Sequence, residues 1–456
     1  MSKLPIYEEQ HLRSDPPTIQ INEQINDMSF ERSRGSSILA GGSADPKKFE
    51  DSGKTTVPGA IFIVVNVALG AGMLNMPGAF GKAGGVAASL IVEACIVGFV
   101  AAALVILAKC AEKHGASVYQ EIVRSMAGKY FELLTEIIIV IFLFYACISL
   151  QILTGDQSEN IIKLIISHEA YNKHHMLFRQ IAIAVITVCI IFPICLPRDI
   201  SFLQIPGLVS VLSIFYVALA VIVQYFVLDI PVKVIQKSPS NVFQVLNCIP
   251  TFLMGYQCHV SAMPVYAGLK ERTMKNWTIV SVVSIGLCSL AYATVGMTGY
   301  LTFGNAVDSD VLDSYKSTNV SIIIARIALA TAVTMTYPAV HFAGRAALES
   351  LYRKAFRLSE IDGKRTWTIR YYIQTILWVA GTLIVALLVP NFGSVVQPIG
   401  ALAAIFILGL PGVCLIRLSE QEGYSGAKYY ICNVFGCIYI ISCTFIFGQN
   451  FFAGFT

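Results

Sequence analysis

Two glycines and an alanine interrupt the first long apolar stretch of the chain, at Gly70, Ala71 and Gly72. Glycine inside a helix costs about 1 kcal/mol relative to alanine, so a membrane-spanning helix built on this stretch is expected to break there. The break releases backbone N–H groups near Met73, which suit a carboxylate, and carbonyl groups before it, which suit a small cation. The alternative is a packing device, because small residues are also common where membrane helices touch.

Asn66 lies one turn before this break. Its side-chain carbonyl could ligate a hard cation together with the main-chain carbonyls of Val65 and Ala68, because such ions prefer oxygen ligands. The alternative is a hydrogen bond between helices, which is a common use of asparagine in membranes.

A second interruption of the same kind precedes Pro264, where a glycine and several polar residues follow one another. Side chains at this point could line a pocket, and carbonyls freed by the break could meet an amino group. For His259 the alternatives are a structural histidine and a group that changes charge near neutral pH. The predicted substrate-binding residues are Gly70, Ala71, Gly72, Met73, Tyr256, Gln257 and His259.

Composition places both interruptions in an integral membrane protein. The chain has 456 residues, of which 55% are hydrophobic and 13% are charged, whereas soluble domains have roughly 25% charged residues. The net charge of +4 is too small to indicate a nucleic-acid partner, so the expected partners are a lipid bilayer and a small substrate. Residues 1–56 are polar and contain no apolar signal segment, which predicts a disordered cytosolic tail.

The region from 57 to 450 is predicted to be a transporter domain of eleven spans, since a span needs roughly 20 apolar residues. The spans lie at about 57–80, 84–108, 131–153, 180–196, 201–228, 242–268, 277–301, 320–344, 367–389, 395–416 and 427–449. With the tail in the cytosol, sixteen Lys and Arg fall in cytosolic loops and seven in the opposite loops. This asymmetry favours a cytosolic N-terminus and a C-terminus on the other side.

The two interruptions belong to a repeat. Pro264 lies 187 residues after Pro77, and this offset carries the centres of the first five spans onto the next five. Because five is odd, the second copy must be inverted. The predicted fold is an all-α polytopic membrane protein with repeats at about 57–228 and 242–416, an extra helix at about 427–449, and discontinuous helices 1 and 6. Such inverted repeats indicate a secondary transporter with its site near the middle of the membrane.

Several segments together resemble the amino acid/auxin permease family, and within it the sodium-coupled neutral amino acid transporters. These are NVALGAGMLNMPGAFGKAGG, CLPRDISFL, QCHVSAMPVY, LTFGNAVDSDVL and TYPAVHFAGRA. The resemblance implies a LeuT-like fold and transport of a neutral amino acid, with glutamine as the favoured substrate. It also implies sodium as the coupling ion and no other cofactor. It also favours a lysosomal membrane over the plasma membrane. We expect a monomer.

In the resembled fold, a hydroxyl on span eight meets the carbonyls of span one and completes the sodium shell. Thr334 is the best match for that hydroxyl, and Thr331 lies on the same helical face. The alternative is that these hydroxyls bond back to carbonyls of their own helix. The predicted sodium ligands are therefore Val65, Asn66, Ala68, Thr331 and Thr334.

Other functions remain open at this point. A proton could replace sodium, with His259 or Glu93 as its carrier, because an ionisable group deep in a span is a functional candidate by default. The transporter fold could instead act as an amino acid sensor that signals through the tail. No catalytic motif such as HExxH is present, so an enzyme is not expected. Arg326 and Asp156, both near the outer surface, are predicted to pair with each other.

Overall fold

The computed structural model describes residues 53, 55–165, 168–197, 204–228, 234–316, 318–358, 364–389 and 392–453. The described residues are almost wholly helical, and the β contact among them is an isolated parallel bridge between Thr55 and Leu269. The predicted tail lies almost entirely outside the described residues.

Helices follow one another along the whole described chain. In chain order the α-helices are α1 (Val57–Ala68), α2 (Met76–Lys82), α3 (Val86–His114), α4 (Tyr119–Ala127), α5 (Lys129–Ile165), α6 (His168–Ile186), α7 (Phe192–Cys195), α8 (Gln204–Val227), α9 (Val242–Leu246), α10 (Ile249–Gly255), α11 (His259–Ala267), α12 (Met274–Phe303), α13 (Val320–Ala355), α14 (Lys364–Leu388), α15 (Gly393–Ala404), α16 (Leu410–Gln421) and α17 (Gly426–Ala453). Short 3-10 turns lie at Ala71–Asn75, Gly304–Ala306 and Val311–Ser314, and π-helical turns lie at Thr187–Ile191 and Ile405–Gly409.

The described part of the chain contains nine helical stretches that are each long and apolar enough to span a membrane. A tenth is the pair formed by α1 and the segment Gly72–Lys82, which is bent by 55°. Residues 242–268, predicted as one span, are divided among α9, α10 and α11, and each of these is too short to cross alone. The all-helical polytopic class is confirmed, and the count of eleven stays a prediction because of this divided segment.

Two helices end about three turns further along the chain than predicted. The span predicted at 131–153 is α5, and the one predicted at 320–344 is α13. The amine of Lys354 on α13 lies 2.7 Å from a carboxylate oxygen of Glu132 and 2.7 Å from one of Glu136 on α5. These ion pairs hold the last turns of α13 against the first turns of α5. The additional turns of α5 pair instead with α6, where Asp156 and Arg179 lie 2.8 Å apart, and hydropathy alone detects neither contact.

The turn between α2 and α3 shows why the chain reverses beside the first break. Gly84 and Gly85 have φ of +85° and +121°, which glycine adopts at no steric cost. A Cβ on Gly84 would lie 2.4 Å from the Cα of Pro239. Glycine at this position therefore allows the loop before α9 to pack directly on the end of α2.

The packing centre of the fold is α12. It packs against α1, α2, α3 and α8, while α13 packs mainly against α5 and α8, and α10 packs against α15. Trp277 near the start of α12 is fully buried, and its indole N–H donates to the carbonyl of Leu104 at 3.0 Å. One continuous helix therefore supports both halves of the first discontinuous helix.

Candidate functional site between two helix breaks

The first break lies where the two glycines predict it. α1 ends at Ala68, and the next two residues, Leu69 and Gly70, have extended backbone. The chain then makes the 3-10 turn Ala71–Asn75 before α2 begins. The helical hydrogen bonds of the first span are interrupted here, so the predicted discontinuity of helix 1 is confirmed.

The donors at this break differ from those expected. The amide of Met73 donates to the carbonyl of Gly70 at 3.2 Å, within the 3-10 turn, and the Met73 side chain is buried. The Met73 N–H is therefore occupied in this conformation. Because the first amides of a helical turn have no partner within it, Ala71 and Gly72 are the better candidates to meet a carboxylate.

The second break separates α10 from α11. Gly255 is the last residue of α10 and His259 the first of α11, and Cys258 between them has a non-helical backbone. The side-chain oxygen of Gln257 accepts a hydrogen bond from the His259 amide at 3.2 Å. Gln257 thus caps the second half-helix, and the predicted discontinuity of helix 6 is confirmed.

The two breaks touch each other. A Cβ on Gly72 would lie 2.9 Å from the Cα of Gly255, and a Cβ on Gly255 would lie 2.5 Å from the methyl carbon of Met76. Real Cβ contacts are longer than this, and the atom that a Cβ on Gly72 would meet is backbone, so the two breaks can approach so closely only because residue 72 is glycine. The contact at Gly255 is with the end of a flexible side chain. By contrast, a Cβ on Gly70 would meet nothing within 4 Å, so space remains on that side of the break.

Tyr292 on α12 joins the two breaks and was not identified from the sequence. Its hydroxyl oxygen lies 2.6 Å from the carbonyl oxygen of Ala68 and 2.9 Å from that of Gly255, and the residue is fully buried. Its ring makes an edge contact with Tyr256, with the centroids 5.1 Å apart. A tyrosine inside an apolar helix carries no signal of such a contact, because the contact depends on tertiary packing.

Two of the predicted substrate-binding side chains face α3. The hydroxyl of Tyr256 donates to Glu93 Oε1 at 2.6 Å, and ring Nε2 of His259 lies 3.3 Å from the carbonyl oxygen of Val100. Both side chains are fully buried. A substrate at this break would therefore meet the backbone of residues 256–258 more readily than these side chains.

Glu93 on α3, which accepts the hydrogen bond from Tyr256, is itself buried. It is 1% exposed, and its Oε1 accepts hydrogen bonds from Tyr256 at 2.6 Å and from Ser289 at 3.3 Å. Its other oxygen has no partner among the described residues. An ionised carboxylate with one buried, unsatisfied oxygen is costly, so the geometry favours the neutral acid.

The predicted sodium ligands of α1 retain oxygen atoms for an ion. The carbonyl of Val65 accepts the Leu69 amide at 2.7 Å, and that of Ala68 accepts from Tyr292, but a carbonyl has a second lone pair. Asn66 is half-buried, and its side chain makes no hydrogen bond within the described part of the chain. Its amide oxygen is thus available to a cation.

The two predicted threonines differ. The hydroxyl of Thr331 donates to the carbonyl of Ile327 at 2.8 Å. Thr334 is 5% exposed, and its hydroxyl has no hydrogen-bond partner among the described residues. The structure therefore favours Thr334. However, the extensive contacts of α13 are with α5 and α8 and not with α1, and no hydrogen bond joins Thr334 to α1 in the part of the chain that the structure describes.

A cavity of about 350 Å³ lies on the α2 side of the breaks, between α2, α10 and the loop that follows α12. Asn75 and Thr251 line it and are 3% and 2% exposed. The Asn75 side-chain amide nitrogen and the Thr251 hydroxyl have no partner among the described residues. Buried polar groups are normally hydrogen-bonded, so this cavity is suited to a polar occupant.

The predicted pairing of Asp156 with Arg326 is wrong. Asp156 on α5 pairs with Arg179 of the adjacent α6 at 2.8 Å. Arg326 instead donates to the carbonyls of Leu312 and Tyr315 at 2.8 and 3.3 Å. The guanidinium of Arg326 is therefore bound by backbone carbonyls in and just after the turn Val311–Ser314, and not by the carboxylate that the sequence predicted.

This turn also holds a buried acid, Asp310, which is 3% exposed. Burial, and next the nearby Asp313 carboxylate, raise the pKa of Asp310 well above its usual value of 3.8. Its Oδ2 lies 2.6 Å from the side-chain nitrogen of the buried Gln157 on α5, whose amide oxygen has no partner within the described residues. Because its Oδ1 also accepts from the Leu312 amide at 2.9 Å, Asp310 joins α5 to this turn.

Comparison with known proteins agrees with this architecture. The family of transmembrane amino acid transporter proteins matches residues 53–451. The zebrafish (Danio rerio) sodium-coupled neutral amino acid transporter 7 is 37% identical over 448 residues, which cover 95% of this chain and 96% of that protein. The human protein of the same name is 36% identical and covers 88% of each chain. Human solute carrier family 38 member 8 is 33% identical over 86% of this chain and 92% of its own.

Among solved structures, the crystal structure of MhsT in complex with L-phenylalanine matches 89% of this chain and 99% of its own, with a TM-score of 0.50 and 12% identity. At this identity the likeness concerns the fold alone. MhsT is a LeuT-fold transporter, and the predicted LeuT-like class is confirmed.

Proposed function

The chain belongs to the transmembrane amino acid transporter family. We propose that it transports a neutral amino acid, with glutamine as the favoured substrate, across a membrane by alternating access coupled to sodium. The observation that carries the proposal is the contact between the two breaks, where Gly72 and Gly255 meet. Backbone N–H donors, backbone carbonyl acceptors and the open space beside Gly70 lie close together there. A zwitterionic amino acid requires all three, for its carboxylate, its amino group and its side chain. Among the relatives, several are named as sodium-coupled neutral amino acid transporters.

Each end of the substrate has its own partner in this proposal. The carboxylate meets the amides of Ala71 and Gly72 at the start of the 3-10 turn, and the amino group meets carbonyls freed at residues 256–258. The positive end of the half-helix dipole favours the carboxylate. The side chain of the amino acid extends into the space beside Gly70, where an added Cβ would touch nothing.

Sodium is held beside the substrate by oxygen atoms of α1 and α13. Asn66, the carbonyls of Val65 and Ala68, and the hydroxyl of Thr334 form the proposed shell. Because α13 and α1 are not closely packed here, the shell is completed only when the two helices approach. A zwitterion adds no net charge, so one sodium per cycle gains about 2.3 kcal/mol per 100 mV of favourable potential.

A second candidate is proton coupling, which the buried Glu93 favours. Its Oε2 has no partner among the described residues, and its Oε1 is bonded to Tyr256 at the second break. A proton on Glu93 would thus lie next to the substrate site, where its release would change the contact with α10.

Uptake of labelled glutamine into proteoliposomes, with sodium and pH gradients imposed separately, tests these candidates. The proposal predicts uptake driven by a sodium gradient at constant pH and little uptake with a pH gradient alone. Uptake that follows pH and ignores sodium would replace sodium coupling with proton coupling. Absence of uptake under both gradients for every neutral amino acid tested would contradict transport itself.

For the compartment and orientation, we propose a monomer in the lysosomal membrane, with the plasma membrane as the alternative, and a cytosolic N-terminus. Protease sites inserted after Ser36 and after Ser317 should be cut from opposite faces of the membrane, and from the cytosol only at Ser36. Cleavage of both sites from one face would contradict the orientation. Location is tested by imaging the tagged protein together with lysosomal and surface markers.

A further inference from the structure

Tyr292 lies between the carbonyl ends of two half-helices. Ala68 is the last residue of α1, and Gly255 is the last residue of α10. The Tyr292 oxygen is 2.6 Å from the first carbonyl oxygen and 2.9 Å from the second. The last carbonyls of a helix have no partner within it and carry its partial negative charge. The tyrosine hydroxyl thus lies within hydrogen-bonding distance of both helix ends.

A tyrosine hydroxyl has one proton. It can donate fully to one of the two carbonyls, and the other oxygen then faces the hydroxyl oxygen without a proton between them. The two acceptors therefore compete for one donor. Any ligand that takes over one acceptor directs the proton to the other.

Sodium is such a ligand if it binds where the proposed function places it, on the carbonyl of Ala68. We infer that Tyr292 couples the ion site to the substrate site. Sodium on the second lone pair of the Ala68 carbonyl draws electron density from this oxygen and weakens it as an acceptor, so the hydroxyl donates to Gly255 instead and fixes the second break. The residue is a positioning residue, because its hydroxyl acts on the substrate through the backbone of α10 and not by contact. This inference rests on the proposed function.

The inference has two measurable consequences. Sodium tightens amino acid binding in the wild type, as coupled ligands do by roughly 5- to 150-fold. In Tyr292→Phe the hydroxyl no longer competes for Ala68, so sodium should bind at a lower half-saturating concentration. The same variant should lose the coupling, so that sodium changes the glutamine affinity by less than about twofold. A purely structural role would weaken both ligands and leave their coupling factor unchanged.

The experiment is a binding cycle on the purified full-length protein. Glutamine dissociation constants are measured with no sodium and with saturating sodium, in the wild type, in Tyr292→Phe and in Tyr300→Phe. Tyr300 is the matched control, because it lies on the same helix and is fully buried, but its hydroxyl contacts Asn305 at 2.8 Å, away from both breaks. The control should keep the coupling of the wild type. A Tyr292→Phe protein with wild-type coupling would overturn the inference.

If Tyr292→Phe does not fold, 3-fluorotyrosine at position 292 provides the second test. Fluorine makes the phenol a stronger donor and preserves the ring, so the half-saturating sodium concentration should rise. The same label at position 300 should not change it, and equal behaviour of the two labels would overturn the inference. A wild type whose glutamine affinity ignores sodium would overturn the proposed sodium coupling itself, a result distinct from intact coupling in Tyr292→Phe.

Discussion

Hydroxyl side chains in the buried helices of this protein mostly donate to the carbonyl one turn earlier. Thr154, Thr298 and Thr302 do so at 2.7 to 2.8 Å, as is usual for threonine in membrane helices. Thr334 does not, although it is 5% exposed. The Thr334 hydroxyl is therefore free to bind a ligand in another step of the cycle.

Thr334→Val should therefore raise the half-saturating sodium concentration on the order of tenfold, equal to about 1.4 kcal/mol. Valine keeps the volume and removes the oxygen ligand. The measurement is glutamine uptake as a function of sodium, with Thr334→Ser, which keeps the hydroxyl, as the control. If Thr331→Val shifts the sodium dependence and Thr334→Val does not, the ligand lies on the preceding turn.

The sequence predicts single residues unevenly. Gly70 and Gly72 are visible because glycine changes the backbone locally, and the family resemblance supplies Thr334. The sequence does not show that Tyr292 contacts two carbonyls. It also does not show that Glu93 contacts Tyr256, more than 150 positions away in the chain. Composition and spacing contain no information on such tertiary contacts.

The sequence also predicts some features of the helices and misses others. Both helix breaks are predictable, because glycine and proline weaken a helix by known amounts. The π-helical turns at Thr187–Ile191 and Ile405–Gly409 were not predicted, although a proline, Pro193 or Pro411, follows each of them within two residues and removes a backbone donor there. The additional turns of α13 and of α5 are also missed, because they form ion pairs with a neighbouring helix, α5 and α6 respectively, and no single helix shows this.

The close contact of the two helix breaks predicts the effect of a side chain at position 72. Gly72→Val should abolish glutamine binding, because even its Cβ would lie 2.9 Å from the Cα of Gly255 and must push the breaks apart. Gly286→Val on α12 is the control, since a Cβ there meets nothing within 4 Å. Binding is measured with labelled glutamine after both variants pass size-exclusion chromatography. A folded Gly72→Val protein with wild-type affinity would contradict the site.

The whole molecule also contains an acid-sensitive contact away from the breaks. Asp310 binds the turn Val311–Ser314 through the Leu312 amide at 2.9 Å and binds α5 through Gln157 at 2.6 Å. Its pKa is raised in the folded protein, mainly by burial. A raised folded-state pKa gives stability that is complete below the unfolded value of 3.8 and is lost as pH rises through the folded value.

The folded protein should accordingly gain stability as pH falls from neutral towards 4, and Asp310→Asn should reduce that gain. Asparagine stays neutral and keeps the side-chain shape, so it removes the titration with little change in packing. Thermal unfolding at a series of pH values measures the effect, with Asp308→Asn, in the same loop but exposed, as the control. Equal pH dependence in the wild type and in Asp310→Asn would assign the effect to another group.

In the proposed function, the contact of the two breaks holds an amino acid and a sodium ion as one unit. Equilibrium binding of radiolabelled sodium to the purified protein, measured while glutamine is titrated, tests it most directly. Reciprocity requires that glutamine tighten sodium binding by the same factor by which sodium tightens glutamine binding. At a sodium concentration below saturation, we predict that bound sodium rises with glutamine and levels off near one ion per protein. Bound sodium that stays constant as glutamine is added would contradict the account.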